Sequence, residues 1–181
     1  DYVPVFKAAN VSLVVRLNKK QYDRRRFTDH GLKHVDLFFI DGSCPPTDII
    51  NKFLALSEAE PNAIAVHCKA GLGRTGTLIG LYAQKHYKFP GAAFVGWNRI
   101  CRPGAILGPQ QQFLCDMERE MIQWGEMERA QNGAGINPRS RMSLNGMREL
   151  QDFEKQEDVG QGDRLVAARR DGGVGSLISP S

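Results

Sequence analysis

The stretch AVHCKAGLGRTGTLIG, residues 65–80, sets a cysteine between an apolar run and a glycine-rich turn, and an arginine follows six positions later. The preceding NAIAVH (62–67) reads as a buried strand, and RTGTLIGLYAQKHY, beginning at Arg74, reads as a helix. Residues 68–73 must then form a loop between strand and helix. Free backbone N–H groups and the positive end of a helix dipole meet there, which makes an anion site. Gly71 and Gly73 let the backbone curl so that those N–H groups converge. Arg74, at the far end, is placed to grip two oxygens of a tetrahedral oxyanion with its planar fork.

The same field explains the thiol. A free cysteine has a pKa near 8.5 and is only about 3% ionised at pH 7, whereas a helix N-terminus lowers that value to ~3.5–7.5. Cys68 is therefore expected to be a thiolate nucleophile. Ionisation raises the nucleophile population by roughly 30-fold at most, so the larger effect must be charge stabilisation on a transferring phosphoryl group by Arg74 and the loop donors. A nucleotide-binding loop would need GxxxxGK[ST], and GLGRTGT has no lysine in the required place. An inert buried cysteine beside a glycine turn is the plain alternative. Strict HCx5R[TS] arises by chance in roughly one of several thousand chains of average composition.

His67, next to the thiol at a strand end, reads as a support that hydrogen-bonds the loop, with no metal. The Thr75 hydroxyl either points back at the thiolate, easing its departure, or simply caps the helix. An alkoxide leaving group also needs a proton donor. Asp41, in FFIDGSCPP, is the first candidate, because parallel-sheet sites gather at the carboxyl ends of strands. By sequence alone a turn-forming Asp41 is nearly as good a reading, and Asp48 is the second choice, as a helix cap.

Outward from the loop, VSLVVRL (11–17) and KHVDLFFI (33–40) read as strands, and 19–31 reads as a short polar helix ending at Gly31. A helix starts at Thr47 or Asp48, with Ile49, Ile50, Phe53, Leu54 and Leu56 on its apolar face. Another covers GAAFVGWNRICR and stops at Pro103, and a last long helix covers 109–124. Alternating strands and helices predict an α/β fold with a mostly parallel central sheet flanked by helices. The domain is expected over 1–127. Residues 128–181, rich in Gly, Ser and Asn, read as a largely disordered tail with a transient helix near 147–156.

The chain has 181 residues, 41% hydrophobic and 24% charged, enough for one ordinary domain with a real core. No apolar run reaches the ~18 residues of a membrane helix. The beginning, DYVPVFKAANVS, shows no signal-peptide pattern and reads as the interior of a longer protein. Four cysteines without CxxC spacing point to free thiols in a reducing compartment. The net charge of +4 lies entirely within residues 1–127, which mildly favours anionic ligands but is too small to argue for nucleic acid.

HCKAGLGRTG resembles the signature loop of cysteine-dependent protein phosphatases. RLNKKQYDRRRFTDHGLKHVDLFFIDGSCPP, AIAVHCKAGLGRTGTLIG and RICRPGAILGPQQQFL resemble the catalytic domain of the cell division cycle fourteen dual-specificity phosphatases, over residues 1–124, and QGDRLVAARR echoes that family's tail. The resemblance implies phosphate-monoester hydrolysis through a phosphocysteine on Cys68, without a metal or other cofactor. Arg74 and the loop of Lys69, Ala70, Gly71, Leu72 and Gly73 would hold the phosphate oxygens. Asp41, 27 residues before the nucleophile, matches the family's general acid, and Gln110 matches the glutamine that positions the hydrolytic water. The family prefers phosphoserine before proline, as left by proline-directed kinases, acts in mitotic exit, and works in nucleus and cytoplasm. In the related phosphoinositide phosphatase, tensin homologue, a lysine stands where this chain has Leu72. An apolar Leu72 fits the wall beside a proline better than a headgroup site, so phosphoproteins are the expected partners rather than membranes or nucleic acid. The resemblance also implies that a second, phosphatase-like domain precedes this one and helps to form the substrate groove. Two other functions stay in view: a catalytically impaired phosphoprotein-binding module, and a lipid phosphatase supported only by Lys69 and the basic run Arg24, Arg25, Arg26.

Overall fold

The computed structural model describes residues 2–133. The elements run α1 (Val3–Ala8), β1 (Val11–Arg16), α2 (Arg25–Thr28), β2 (Lys33–Asp36), α3 (Thr47–Ala59), β3 (Ala63–His67), α4 (Arg74–Tyr87), α5 (Gly91–Cys101) and α6 (Pro109–Gly133). Three strands form one parallel sheet in the order β2-β1-β3. The fold is α/β with helices flanking a parallel sheet, as expected. Central β1 is covered on both faces, which is why Leu13, Val14 and Val15 form an unbroken apolar run rather than an alternating one. Ile49, Ile50, Phe53, Leu54 and Leu56 of α3 are buried, as the periodicity predicts.

Four elements differ from the sequence expectation, each for a local reason. β2 ends at Asp36 rather than at residue 40. The chain still follows the end of β1, with Leu37 N–H donating to the Arg16 carbonyl (2.9 Å) and Phe39 N–H to the Leu17 carbonyl (3.4 Å), but β1 itself stops at Arg16 and offers no further ladder. The expected helix over 19–31 is reduced to Arg25–Thr28. The buried Arg16 Nη1 takes the Tyr22 carbonyl (2.8 Å), and Asp23 Oδ1 accepts from Arg25 N–H (2.9 Å), so side chains occupy the groups a longer helix would use. α1, not expected, starts with proline in its first turn, where the missing N–H costs nothing.

The last helix runs past Trp124 to Gly133, so the boundary expected at 127 falls inside α6. A buried cation extends it. Lys85 Nζ lies 2.6 Å from Glu58 Oε1 and 2.8 Å from Glu128 Oε2, and 4.1 Å from the centre of the Trp124 ring. The indole N–H of Trp124 also donates to Glu128 (2.6 Å), and Arg129 donates to the Lys85 carbonyl (3.2 Å). Gly125 permits this approach, because a Cβ there would be driven into the Lys85 carbonyl oxygen. The rest of the expected tail, 134–181, including the helix near 147–156, lies outside the described residues.

Candidate active site

β3 delivers its last residue, His67, to the carboxyl edge of the sheet, and residues 68–73 cross to α4. Cys68 is buried, and the N–H of Gly71 donates to its Sγ at 3.1 Å. Gly71 achieves this with a φ of +68°, a conformation that a side chain resists. The loop's carbonyls are held from elsewhere. Ala70 O accepts from Arg102 Nη2 (3.0 Å), and Leu72 O accepts from the Ile106 N–H (3.0 Å). No side chain caps α4, whose N-cap is Gly73. Its first-turn donors therefore remain for a ligand, the physical basis of an anion site.

Arg74 is the first residue of α4 and has no exposed surface. Its Nη1 donates to the Phe39 carbonyl at 2.9 Å and lies 3.4 Å from the Leu17 carbonyl, while Nε stands 3.3 Å from Asp41 Oδ1. Chain ends beyond β1 and β2 thus fix the guanidinium, and the guanidinium fixes Asp41. Gln110, also buried, follows Pro109 in the first turn of α6 and donates from Nε2 to the Ser43 carbonyl at 2.8 Å, which ties that helix to the Asp41 loop; its Oε1 has no hydrogen-bond partner among the described residues. Thr75 does not cap the helix. Among the described residues its buried hydroxyl has no hydrogen-bond partner, neither a backbone group of the helix start nor Cys68 Sγ.

Behind the loop, His67 Nδ1 lies 3.2 Å from the Cys68 carbonyl, and its Nε2 shares a 2.6 Å hydrogen bond with the Tyr22 hydroxyl. The same hydroxyl reaches His34 Nε2 at 2.9 Å. Burial holds both imidazoles toward the neutral form, with His34 lowered to about 4. Burial likewise pushes Tyr22 up to about 12. Arg16 lies over the Tyr22 ring, 4.5 Å from its centre, and forks onto Asp36 (Nη2–Oδ2 3.0 Å).

Several curated relatives are CDC14 phosphatases. The chain is 56% identical over 129 residues to the human dual specificity protein phosphatase CDC14A, covering 71% of this chain and 22% of that one. It is 44% identical over 188 residues to mouse CDC14B, covering 93% and 39%. This chain carries a CDC14-type catalytic domain of the cysteine-dependent phosphatase superfamily. It spans well under half the length of either relative. A family model described as "Tc-R-P: Polymorphic toxin system, DSP-PTPase phosphatase" also matches, over residues 2–87. Among solved structures, a putative protein tyrosine phosphatase from Leishmania major superposes with a TM-score of 0.55 at 25% identity, covering 63% of this chain and 77% of that one. Tk-PTP in its active form gives 0.58 at 21%, a likeness of fold, covering 66% and 84%.

Within this CDC14-type domain, Cys68, Gly71, Arg74, Asp41 and Gln110 occupy one edge of the sheet, while the Lys69 side chain is exposed. Leu72, half-buried, contributes its carbonyl to the loop's anchoring. Sequence reasoning missed three residues. Arg102, in RICRPG, grips the outside of the loop, and an added Cβ on Gly71 would meet its Nη2 at 2.8 Å. Tyr22 and His34 lie 45 and 33 positions before His67, and nothing in their local pattern marks them as neighbours of the loop. Burial, and then the Asp116 carboxylate, push the Cys44 thiol up.

Proposed function

We propose that this chain hydrolyses phosphate monoesters on proteins through a phosphocysteine. The observation that carries the reading is the Gly71 N–H aimed at Cys68 Sγ at 3.1 Å, in a loop closed by an arginine that stands 3.3 Å from Asp41. In the first step Sγ attacks phosphorus, the ester P–O bond breaks, and Asp41 passes its proton to the leaving oxygen. In the second, water attacks phosphorus, the S–P bond breaks, and the Asp41 carboxylate takes the proton from the water. Gln110 Oε1 accepts from that water, and the Thr75 hydroxyl and Gly71 N–H stabilise the departing thiolate. Arg74, anchored through Nη1, presents Nε and Nη2 to two phosphoryl oxygens, joined by the N–H groups of residues 69–73. Each such donor typically contributes about 3–4 kcal/mol at the transition state, and the proton donor about 10²–10⁴-fold.

The substrates we propose are phosphoproteins of proline-directed kinases, with phosphoserine before proline favoured, in cell-cycle control in nucleus and cytoplasm. Support comes from the CDC14 relatives and from the apolar Leu72 inside the loop. The test is phosphate release from a phosphoserine-proline peptide with a downstream lysine, beside its alanine-for-proline counterpart, an inositol phospholipid and the Cys68→Ser control. Cysteine-dependent release that prefers proline supports the reading. Tight peptide binding without release assigns a binding module instead, and release from the lipid alone assigns a lipid phosphatase.

A further inference from the structure

We infer that Tyr22 and His34 are positioning residues for the phosphate loop, joined to Cys68 through His67 in a hydrogen-bond chain that runs in one direction only. The inference deepens the phosphatase reading and rests on it for its kinetic part.

The direction follows from donors and acceptors. The Cys68 carbonyl only accepts, so His67 Nδ1, 3.2 Å away, must carry a hydrogen. A neutral His67 then has a bare Nε2, which accepts from the Tyr22 hydroxyl at 2.6 Å. With its own hydrogen spent, the Tyr22 oxygen accepts at 2.9 Å, and His34 Nε2 must donate. A neutral His34 is left with a bare Nδ1. That atom is buried with no hydrogen-bond partner among the described residues, where a lone pair is cheaper to leave than an N–H. Two independent ends, a carbonyl at one and an unpartnered nitrogen at the other, give the same direction.

The surroundings keep the chain in that state. Arg16 of β1 lies over the Tyr22 ring and pairs with Asp36 of β2, so the nearest full charges answer each other. Arg24, just before α2, adds positive potential at His34, and His67 also opposes a proton there. The Phe27 ring of α2 packs against both Tyr22 (5.6 Å between ring centres) and His34 (6.0 Å). All three strands contribute: Arg16 from β1, His34 and Asp36 from β2, His67 from β3. The chain therefore transmits the sheet's geometry to the Cys68 carbonyl, and with it to the plane of the first peptide of the loop. A shift of that peptide turns the N–H groups that must meet the phosphoryl oxygens.

The test has two parts. In the unmodified chain, ¹⁵N NMR of the imidazoles at pH 7.5 is expected to show His67 protonated on Nδ1, the less common neutral tautomer, and His34 protonated on Nε2. In Tyr22→Phe, which keeps the ring and loses the hydroxyl, kcat on an aryl phosphate is expected to fall about tenfold, and the acid limb of the kcat/KM profile to move to higher pH. His34→Leu, which removes the donor to the Tyr22 oxygen, is expected to lower kcat about threefold or more, and His34→Gln, which restores a donor, to bring it back within about twofold of the unmodified chain. Nε2-protonated His67, or a folded Tyr22→Phe with unchanged kcat and pH profile, would overturn the inference. The tautomers are read without turnover. An inactive chain with the expected tautomers would therefore sink the phosphatase reading and leave the hydrogen-bond chain standing.

Discussion

Asp41 Oδ1 stands 3.3 Å from Arg74 Nε, and both side chains are closed off from solvent. The residue proposed as proton donor is thus held by the residue proposed to hold the phosphate. Its removal separates two roles. As an acid, Asp41→Ala should slow an alkyl phosphate by about 10²–10⁴-fold and an aryl ester with a very good leaving group by far less. Equal losses on both would assign Asp41 to holding Arg74 rather than to proton transfer.

Arg74→Lys keeps the charge and loses the fork. A lysine cannot reach the Phe39 carbonyl and two phosphoryl oxygens together, so kcat/KM should fall by about 10³-fold or more, with vanadate binding weakened in parallel. A loss of less than tenfold would show that the loop N–H groups alone carry the charge.

Thr75 and Gln110 are the residues proposed to act in the second step. Thr75→Val and Gln110→Ala should leave the first phenol burst near one equivalent while slowing the steady rate by about tenfold or more. Rapid-quench measurement of phosphorylated Cys68 checks this. A smaller burst at an unchanged steady rate would place both residues in the first step.

The Lys85 cluster makes the end of α6 part of the domain. Glu128→Ala leaves the buried ammonium with Glu58 alone and should cost about 1–3 kcal/mol, with a lower Tm. Gly125→Ala forces α4 and α6 apart and should cost at least as much. A Tm unchanged in both variants would mean that the helix beyond Trp124 contributes nothing to folding.

Acid stability should follow the buried imidazoles. His34 titrates near 4 when folded and near 6.5 when unfolded, so between those values the unfolded chain binds the extra proton. Stability is then lost as pH falls from about 6.5, and the loss is complete below about 4. His67 acts in the same sense. Urea melts across this window should decline less steeply for His34→Gln than for the unmodified chain.

Much of this was legible in local pattern. Residues 65–80 carry a strand, a curl and a helix start in the order an anion loop requires, and the β-branched runs and the apolar face of α3 define an α/β fold. Cys68, Arg74 and Gly71 were readable because their chemistry depends on neighbours within a few positions, where spacing is geometry. Tertiary structure alone decided the rest. The Arg74 guanidinium is fixed by carbonyls 35 and 57 residues away. Asp41 sits in the turn that Ser43 N–H closes onto the Ile40 carbonyl, as a turn former would, and only the fold shows that its carboxylate also meets the Arg74 guanidinium; the N-cap of α4 is Gly73 and not Thr75. Lys85 kept six residues of α6 in the domain although their composition reads as tail. The Tyr22 hydroxyl joined two histidines that no periodicity connects. Periodicity and spacing report what lies within one turn or one strand. Parallel strands bring together side chains whose separation along the chain is set by the crossover helices between them, and composition carries no record of that meeting.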